Sequence, residues 1–140
     1  FPYSPQWVIE GRFRPAAEGA TIAVDHVAGG GPREAAAAGS IDFELGALAF
    51  SVEAIAEREF LQIVFSDATS GDDSYSVGRF LFVRPDDDGR VVLDFNRAVL
   101  PPCAFSYNFN CPIPPRQNRL SIRIEAGEKN VLAVDGSLMH

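Results

Sequence analysis

The chain has 140 residues, of which 46% are hydrophobic and 22% are charged. This length suits one domain with a single core, and no window approaches the roughly 20 unbroken apolar residues that a membrane helix needs. The formal net charge of −7 excludes a surface rich in Lys and Arg, so neither a nucleic acid nor an anionic membrane is expected as a partner.

The first residues, "FPYSPQW", contain neither an initiator methionine nor the pattern of a signal peptide. We therefore expect an excised or processed part of a longer chain, folded as one β domain over residues 1–140 with a tail over residues 130–140. Two cysteines are far too few for a secreted disulfide scaffold, so the cytoplasm is the expected compartment.

The first half of the chain predicts strands separated by turns. Apolar and polar residues alternate over residues 7–13 and 21–27, which is the period of a half-buried strand. Residues 28–39 contain three consecutive glycines, a proline and an alanine run, and they predict a flexible loop. Residues 40–52 predict a hairpin that turns at Gly46.

The second half predicts further strands. A short helix over residues 52–58 is the alternative to an extended end of the hairpin. Apolar runs over residues 60–65, 78–83 and 90–95 predict buried strands, and alternation over residues 119–127 predicts the last strand. The sequence therefore predicts an all-β single domain. A mostly antiparallel sandwich or barrel is expected, because the connections are too short for helical crossovers.

The stretch "LPPCAFSYNFNCPIPP" (residues 100–115) forms a Pro-rich loop before that predicted last strand. The spacing of Cys103 and Cys111 fits neither a Cys-x-x-Cys redox motif nor a four-ligand zinc site, so neither a metal nor a cofactor is expected. A disulfide and two buried free thiols both remain open. Proline pairs stiffen both ends of the loop, which suits a pocket wall or a cover over one barrel end.

Polar residues interrupt the predicted strands at two other places. "SDATSGDDSYSVGRF" (residues 66–80) is longer than a hairpin needs, and long loops are often functional. The same residue types also build ordinary turns. In "LDFN" (residues 93–96), Asp94 and Asn96 either contact a polar ligand or cap the following turn.

Three linked motifs resemble the DUF1684 family of bacterial and archaeal proteins of unknown function. They are "DATSGDDSYSVGRFL", "VVLDFNRAVLPPCAF" and "CPIPPRQNRLSIRIEAGEK", and the resemblance is close over residues 67–129 and looser from residue 7. It implies that the chain corresponds to the C-terminal part of longer family members, and it brings no established activity. It also marks polar residues at strand ends and in loops, where packing alone rarely requires them.

Three hypotheses about function remain open, and none predicts an oligomeric state. In the first, the domain binds a small molecule or a partner through a polar cluster, and Phe105 and Tyr107 of the Pro-rich loop form one wall of the site. In the second, a hydrolytic enzyme uses Asp67 or Asp94 as a base and Arg79 as an electrostatic stabiliser. In the third, the polar network only holds loops together. Several of the candidate ligand-binding residues are marked only by the resemblance; the full set is Asp67, Thr69, Ser70, Tyr75, Arg79, Asp94, Asn96, Cys103, Phe105, Asn118 and Arg119.

Overall fold

The computed structural model describes residues 1–106, 108–132 and 135. Within these residues the chain forms seven strands: β1 (Val8–Pro15), β2 (Thr21–Val24), β3 (Arg33–Leu45), β4 (Leu48–Ala56), β5 (Leu61–Phe65), β6 (Arg79–Val83) and β7 (Arg90–Asp94). Four single-turn 3-10 helices complete the regular structure: Pro5–Trp7, Phe95–Arg97, Pro102–Ala104 and Arg116–Asn118.

The strands form one antiparallel sheet in the order β6-β5-β4-β3-β1-β7, and β2 is a third partner of β3. The sheet curls into a half-barrel, with β6 and β7 as its two edges. The predicted all-β, antiparallel fold class is therefore confirmed.

Alternation along the strands divides the apolar residues between the two faces of the sheet. The concave face carries the inner core, whose largest buried members include Ile9, Ile41, Phe43, Val52, Ile63, Phe65, Leu81, Val91, Leu93, Phe95 and Ile124. The opposite face of β4, β5 and β6 carries a smaller outer cluster beneath the Pro-rich loop: Val24, Ile55, Val64, Tyr75, Phe80, Leu100, Cys103, Ala104 and Cys111. The Pro-rich loop therefore covers part of the outer face.

The prediction of one flexible loop over residues 28–39 is wrong for its second half. Strand β3 begins at Arg33, and its alanine run pairs with β2, for example Ala36 with Thr21. From Ala37 onward β3 also pairs with β4. Alanine has little intrinsic preference for strands, so pairing with neighbouring strands extends β3 where residue type alone does not indicate it.

The hairpin prediction is confirmed, because β3 and β4 pair from Leu45 opposite Leu48 to Ala37 opposite Ile55. Strand β4 continues to Ala56, so residues 52–56 are extended and the helical alternative is wrong.

The predicted last strand over residues 119–127 is wrong, and the Pro-rich loop therefore follows the last strand, β7, instead of preceding one. The alternation itself is real, since Leu120 and Ile124 are buried. The first residues of the segment are paired with residues 66–68 through backbone bonds and one isolated β-bridge. From Ile124 onward the backbone bonds to the Asp67 and Arg79 side chains instead, so no continuous strand forms. The predicted tail over residues 130–140 falls largely outside the described residues, although Asn130 is anchored to the backbone of Asp72 and Asp73.

Candidate functional site

Asp67 and Arg79 form a buried ion pair next to the β5–β6 connection. Asp67 follows the end of β5 by two residues, and Arg79, the first residue of β6, lies opposite Phe65 in the strand register. The Arg79 Nη2 atom lies 3.4 Å from Asp67 Oδ1, and neither side chain is exposed to solvent. The pair is therefore completely internal.

Donors from the chain surround the Asp67 carboxylate. The Thr69 hydroxyl donates to both of its oxygens, at 2.9 and 3.0 Å, and the Ser70 hydroxyl donates to Oδ1 at 3.2 Å. The backbone amide of Ile124 donates to Oδ2 at 2.6 Å. Thr69 also shares a hydrogen bond of 2.8 Å with the Ser74 hydroxyl. The carboxylate therefore holds the 66–74 loop in one conformation against residue 124.

The Arg79 guanidinium binds the backbone of the segment that was predicted to be a strand. Its Nη1 atom donates to the carbonyl oxygens of Ala126 and Glu128, the latter at 3.1 Å, and Nη2 donates to that of Ile124 at 2.9 Å. Burial lowers the pKa of Arg79, while the charge of Asp67 opposes that shift. Since an arginine remains protonated in proteins, this is a positive charge enclosed by acceptors.

Asn118 joins two diverging strands in a similar way. Strands β4 and β5 pair only at their adjoining ends, Ile55–Ala56 with Leu61–Gln62. Farther along, the Asn118 side chain accepts from the Glu53 amide at 2.7 Å and donates to the carbonyl oxygens of Glu53 and Val64, both at 2.9 Å. Asn118 is fully buried, so these bonds are structural.

Arg119 lies on the surface beside this buried amide. Its Nε atom donates to the Pro114 carbonyl oxygen at 3.3 Å, and the residue is exposed. The structure therefore separates two neighbours that the sequence grouped as ligand-binding candidates.

Asp94 and Asn96 form a separate polar pair at the end of β7. Asp94 Oδ1 accepts from the Asn96 amide at 3.1 Å and from its Nδ2 atom at 2.9 Å, which caps the 3-10 helix Phe95–Arg97. Asn96 also exchanges two bonds of 2.9 Å with the backbone of Ser4. Within the described ranges, no hydrogen bond or ion pair joins either residue to the Asp67–Arg79 pair.

The Pro-rich loop brings its two cysteines together as free thiols. The Cys103 amide donates to Cys111 Sγ at 3.2 Å, and both residues are buried. Burial raises the pKa of Cys111 to about 11. The Tyr75 hydroxyl contacts the Cys103 carbonyl oxygen at 3.5 Å. Phe105 is half-exposed, and the predicted role of Tyr107 lies outside the described residues.

An open cavity of about 960 Å³ lies elsewhere, on the outer face of β7, β1, β3 and β4. We call it the sheet groove. The strand register aligns Arg90, Arg12, Asp42 and Ser51 in one row across these four strands. Residues directly opposite in antiparallel strands share a face, so these side chains line the groove together.

Both signs of charge meet in the sheet groove. Glu10 pairs with Arg90 at 2.6 Å, while Arg14 binds Asp42 from outside at 2.9 Å. The Ser51 side chain, opposite Asp42 in the register, and then Arg14 lower the pKa of Asp42. Glu44 adds a third carboxylate to the lining. None of the candidate residues predicted from the sequence lines this groove.

A comparison with protein families gives the family. The family described as "Protein of unknown function (DUF1684)" matches residues 1–129 of the chain. The chain belongs to the DUF1684 family. This DUF1684 domain is also similar to the solution NMR structure of an uncharacterised protein from Haloarcula marismortui, with a TM-score of 0.73 and 30% sequence identity. That similarity covers 90% of this chain and 72% of the other.

A comparison with functionally curated proteins finds no match for this DUF1684 domain. Among its described residues, no helix is long and apolar enough to cross a membrane.

Two glycines in the family motifs of this DUF1684 domain are required by the backbone around them. Gly78 has a φ of +124°, and a Cβ atom there would collide with the Phe65 carbonyl oxygen. Gly127 has a φ of +80°, and a Cβ atom would lie 2.8 Å from the Phe95 carbonyl oxygen. Close backbone packing therefore accounts for the two glycines, and internal hydrogen bonds account for Asp67.

Little in the residue pattern points to the sheet groove. Its charged residues alternate with apolar ones along each strand, which is also the pattern of an ordinary solvated face. Arg12 and Asp42 are 30 positions apart in the chain and become neighbours only through the register. The strand order would have been needed to find them.

Proposed function

We propose that this DUF1684 domain is a binding module without chemistry of its own, and that its ligand lies in the sheet groove. The observation that carries the proposal is the open groove itself, a cavity whose lining brings together charged groups from three strands, β1, β3 and β7. Binding sites are typically concave and hold a few well-placed polar groups. A cytoplasmic location is part of the proposal and rests on the low cysteine content alone.

The lining favours a small polar ligand that carries both charges, such as an amino-acid derivative or a short peptide. Arg12 and Arg90 supply guanidinium donors on one side, and Asp42 and Glu44 supply carboxylates on the other. Arg12 donates one hydrogen bond to the Asp88 carbonyl oxygen, at 2.8 Å. A guanidinium has five N–H groups, so others remain for a ligand. Carboxylates in the same groove disfavour a polyanion.

The hydrolytic alternative finds less support from the geometry. A general base must lie within hydrogen-bond reach of a substrate proton. The Asp67 carboxylate is enclosed, and it already accepts hydrogen bonds from four residues: Thr69, Ser70, Arg79 and Ile124. Asp94 is partly exposed but is engaged in capping. Both carboxylates therefore serve the fold in this proposal.

Titration of ¹⁵N-labelled protein with amino acids and short mixed-charge peptides, followed by NMR, tests the proposal. We expect the largest shift changes at the amides of Glu10, Arg12, Asp42 and Ser51. Arg90→Ala should weaken the binding about tenfold, which is the loss of roughly one charge-assisted hydrogen bond.

Arg84→Ala is the matched control, because the Arg84 and Arg90 side chains are both 60% exposed and Arg84 lies outside the groove. It should leave the affinity unchanged. Shift changes that cluster outside the groove, or equal effects of the two variants, would contradict the proposed site.

A further inference from the structure

Cys103 and Cys111 bring two thiols together in the outer cluster. Cys103 is 3% exposed and Cys111 is 5% exposed, and neither is in a disulfide. The Cys103 amide nitrogen lies 3.2 Å from Cys111 Sγ. Because the nitrogen is one bond from its own Cα and the sulfur two bonds from its own, this contact places the two Cα atoms near the limit of about 7 Å within which a disulfide forms.

The backbone around each cysteine is already fixed. Cys103 lies in the 3-10 helix Pro102–Ala104, where the Ala104 amide donates to the Pro101 carbonyl oxygen at 2.9 Å. On the other side, the Cys111 carbonyl oxygen accepts from the Val27 amide at 3.0 Å. A bond between the sulfurs would therefore need little movement of the main chain.

Most of the described residues between the cysteines are less enclosed than the cysteines themselves. Phe105 and Phe109 are 50% and 51% exposed, although large apolar side chains usually pack inside. When a short connection with exposed aromatic residues joins two fixed and adjacent thiols, oxidation would close the connection into a ring.

We propose that Cys103 and Cys111 are a redox modification site, at which exchange with a low-molecular-weight disulfide forms one intramolecular disulfide. One cysteine thiolate attacks the small disulfide, forms a mixed disulfide and releases one small thiol. The second cysteine then attacks the protein sulfur and releases the other small thiol. The protein loses two protons and two electrons, and the small disulfide is reduced to two thiols.

The predicted effect of the disulfide is local. It closes residues 104–110 into a ring and fixes how Phe105 and Phe109 are presented, while the sheet groove lies on other strands. The inference is therefore independent of the proposed ligand. The raised pKa of Cys111 keeps its thiol protonated at neutral pH, so we expect a slow reaction that accelerates as the pH rises.

Incubation of the folded protein with oxidised glutathione tests the site. We expect both thiols to disappear from thiol titration, and the intact mass to fall by about 2 Da for the two hydrogens lost. Chymotrypsin cleavage after Phe105 or Phe109 should then leave two fragments that stay joined until a reductant is added. The untreated protein should separate into two fragments without reductant.

Cys103→Ser and Cys111→Ser are the matched controls, because each retains a single thiol. Each should take up one glutathione and keep that mass adduct. Stable glutathione adducts on the wild-type protein would overturn the proposal. So would two thiols that stay free in the folded protein but oxidise together once it is unfolded in urea.

Discussion

Asp67 and Arg79 together bind both backbone groups of Ile124. The Asp67 carboxylate accepts from the Ile124 amide, and the Arg79 guanidinium donates to the Ile124 carbonyl oxygen. Two side chains thus supply the bonds that a neighbouring strand would otherwise make. A buried ion pair stabilises a fold only when its other polar atoms are satisfied, and among the described residues Arg79 Nε is the one atom of this pair without a partner.

Arg79→Met should be strongly destabilising. The substitution keeps most of the apolar stem but leaves the Asp67 charge buried without its partner, and it removes the donors to Ile124, Ala126 and Glu128. Breaking one partner of a buried pair costs about 3–5 kcal/mol. Urea denaturation followed by circular dichroism measures the loss in the free energy of unfolding.

Arg84→Met provides the comparison for that variant. Arg84 pairs with Glu59 at 3.6 Å, with both side chains largely exposed, and an exposed pair contributes about 1 kcal/mol or less. A loss in Arg79→Met no larger than that in Arg84→Met would show that the internal pair does not hold residues 124–128.

Asn118→Ala should also destabilise the domain, by about 3 kcal/mol. The variant leaves the amide and carbonyl groups of Glu53 and the carbonyl of Val64 without their partner in a buried place, and each unmet buried group costs about 1–3 kcal/mol. Urea denaturation is again the measurement. Gln117→Ala is the control. Gln117 is the exposed neighbour of Asn118, and its substitution should change the free energy of unfolding by less than about 0.5 kcal/mol. Equal stability of the two variants would contradict the bridging role of Asn118.

Gly78→Ala and Gly19→Ala separate a steric clash from backbone strain. Both glycines have a positive φ, +124° at Gly78 and +79° at Gly19, but only Gly78 has an atom in the way of a Cβ, the Phe65 carbonyl oxygen. Gly19→Ala should cost about 1 kcal/mol for the left-handed backbone alone. Gly78→Ala should cost at least about 2 kcal/mol more, measured by thermal and urea unfolding. Similar losses would mean that β6 shifts to accommodate the methyl group.

The sequence predicted the strands well where residue type and pairing agree. Alternation located β1 and β4, and mainly apolar runs located β5 and β6, because strands that are largely buried on both faces have few polar positions. It failed over residues 119–127, where alternation correctly predicted which side chains are buried but not whether a neighbouring strand is present. Side-chain periodicity reports burial, whereas a strand also requires a paired backbone.

The candidate site, too, was predictable only in part. The sequence grouped Asp67 and Arg79 with Asp94 and Asn96. The structure joins Asp67 to Arg79, whereas Asp94 and Asn96 bind each other and Ser4. The motifs could not distinguish a residue that binds a ligand from one that binds its own backbone, because both require the same side chain at a fixed place. Asn118 illustrates this, since its three bonds all end on main-chain atoms of β4 and β5.

The raised pKa of Cys111 predicts a loss of stability at alkaline pH. Burial raises that pKa from 9.0 to about 11, so the folded state holds the thiol proton more tightly than the unfolded state does. The resulting stabilisation is complete below pH 9.0, and it is lost as the pH rises through about 11. Under reducing conditions, the free energy of unfolding of the wild-type protein should therefore fall over this range more steeply than that of Cys111→Ala.

Cys111→Ala removes the titrating group and keeps a small apolar side chain, so any remaining pH dependence belongs to other residues. Urea unfolding of both proteins at several pH values between about 8 and about 11.5, roughly one unit below and half a unit above the linkage window, measures the difference. Parallel curves would show that Cys111 ionises with equal ease in the folded and unfolded states. A gap that narrows toward high pH is the expected result, because the wild-type protein gradually loses the advantage of a protonated thiol inside the outer cluster.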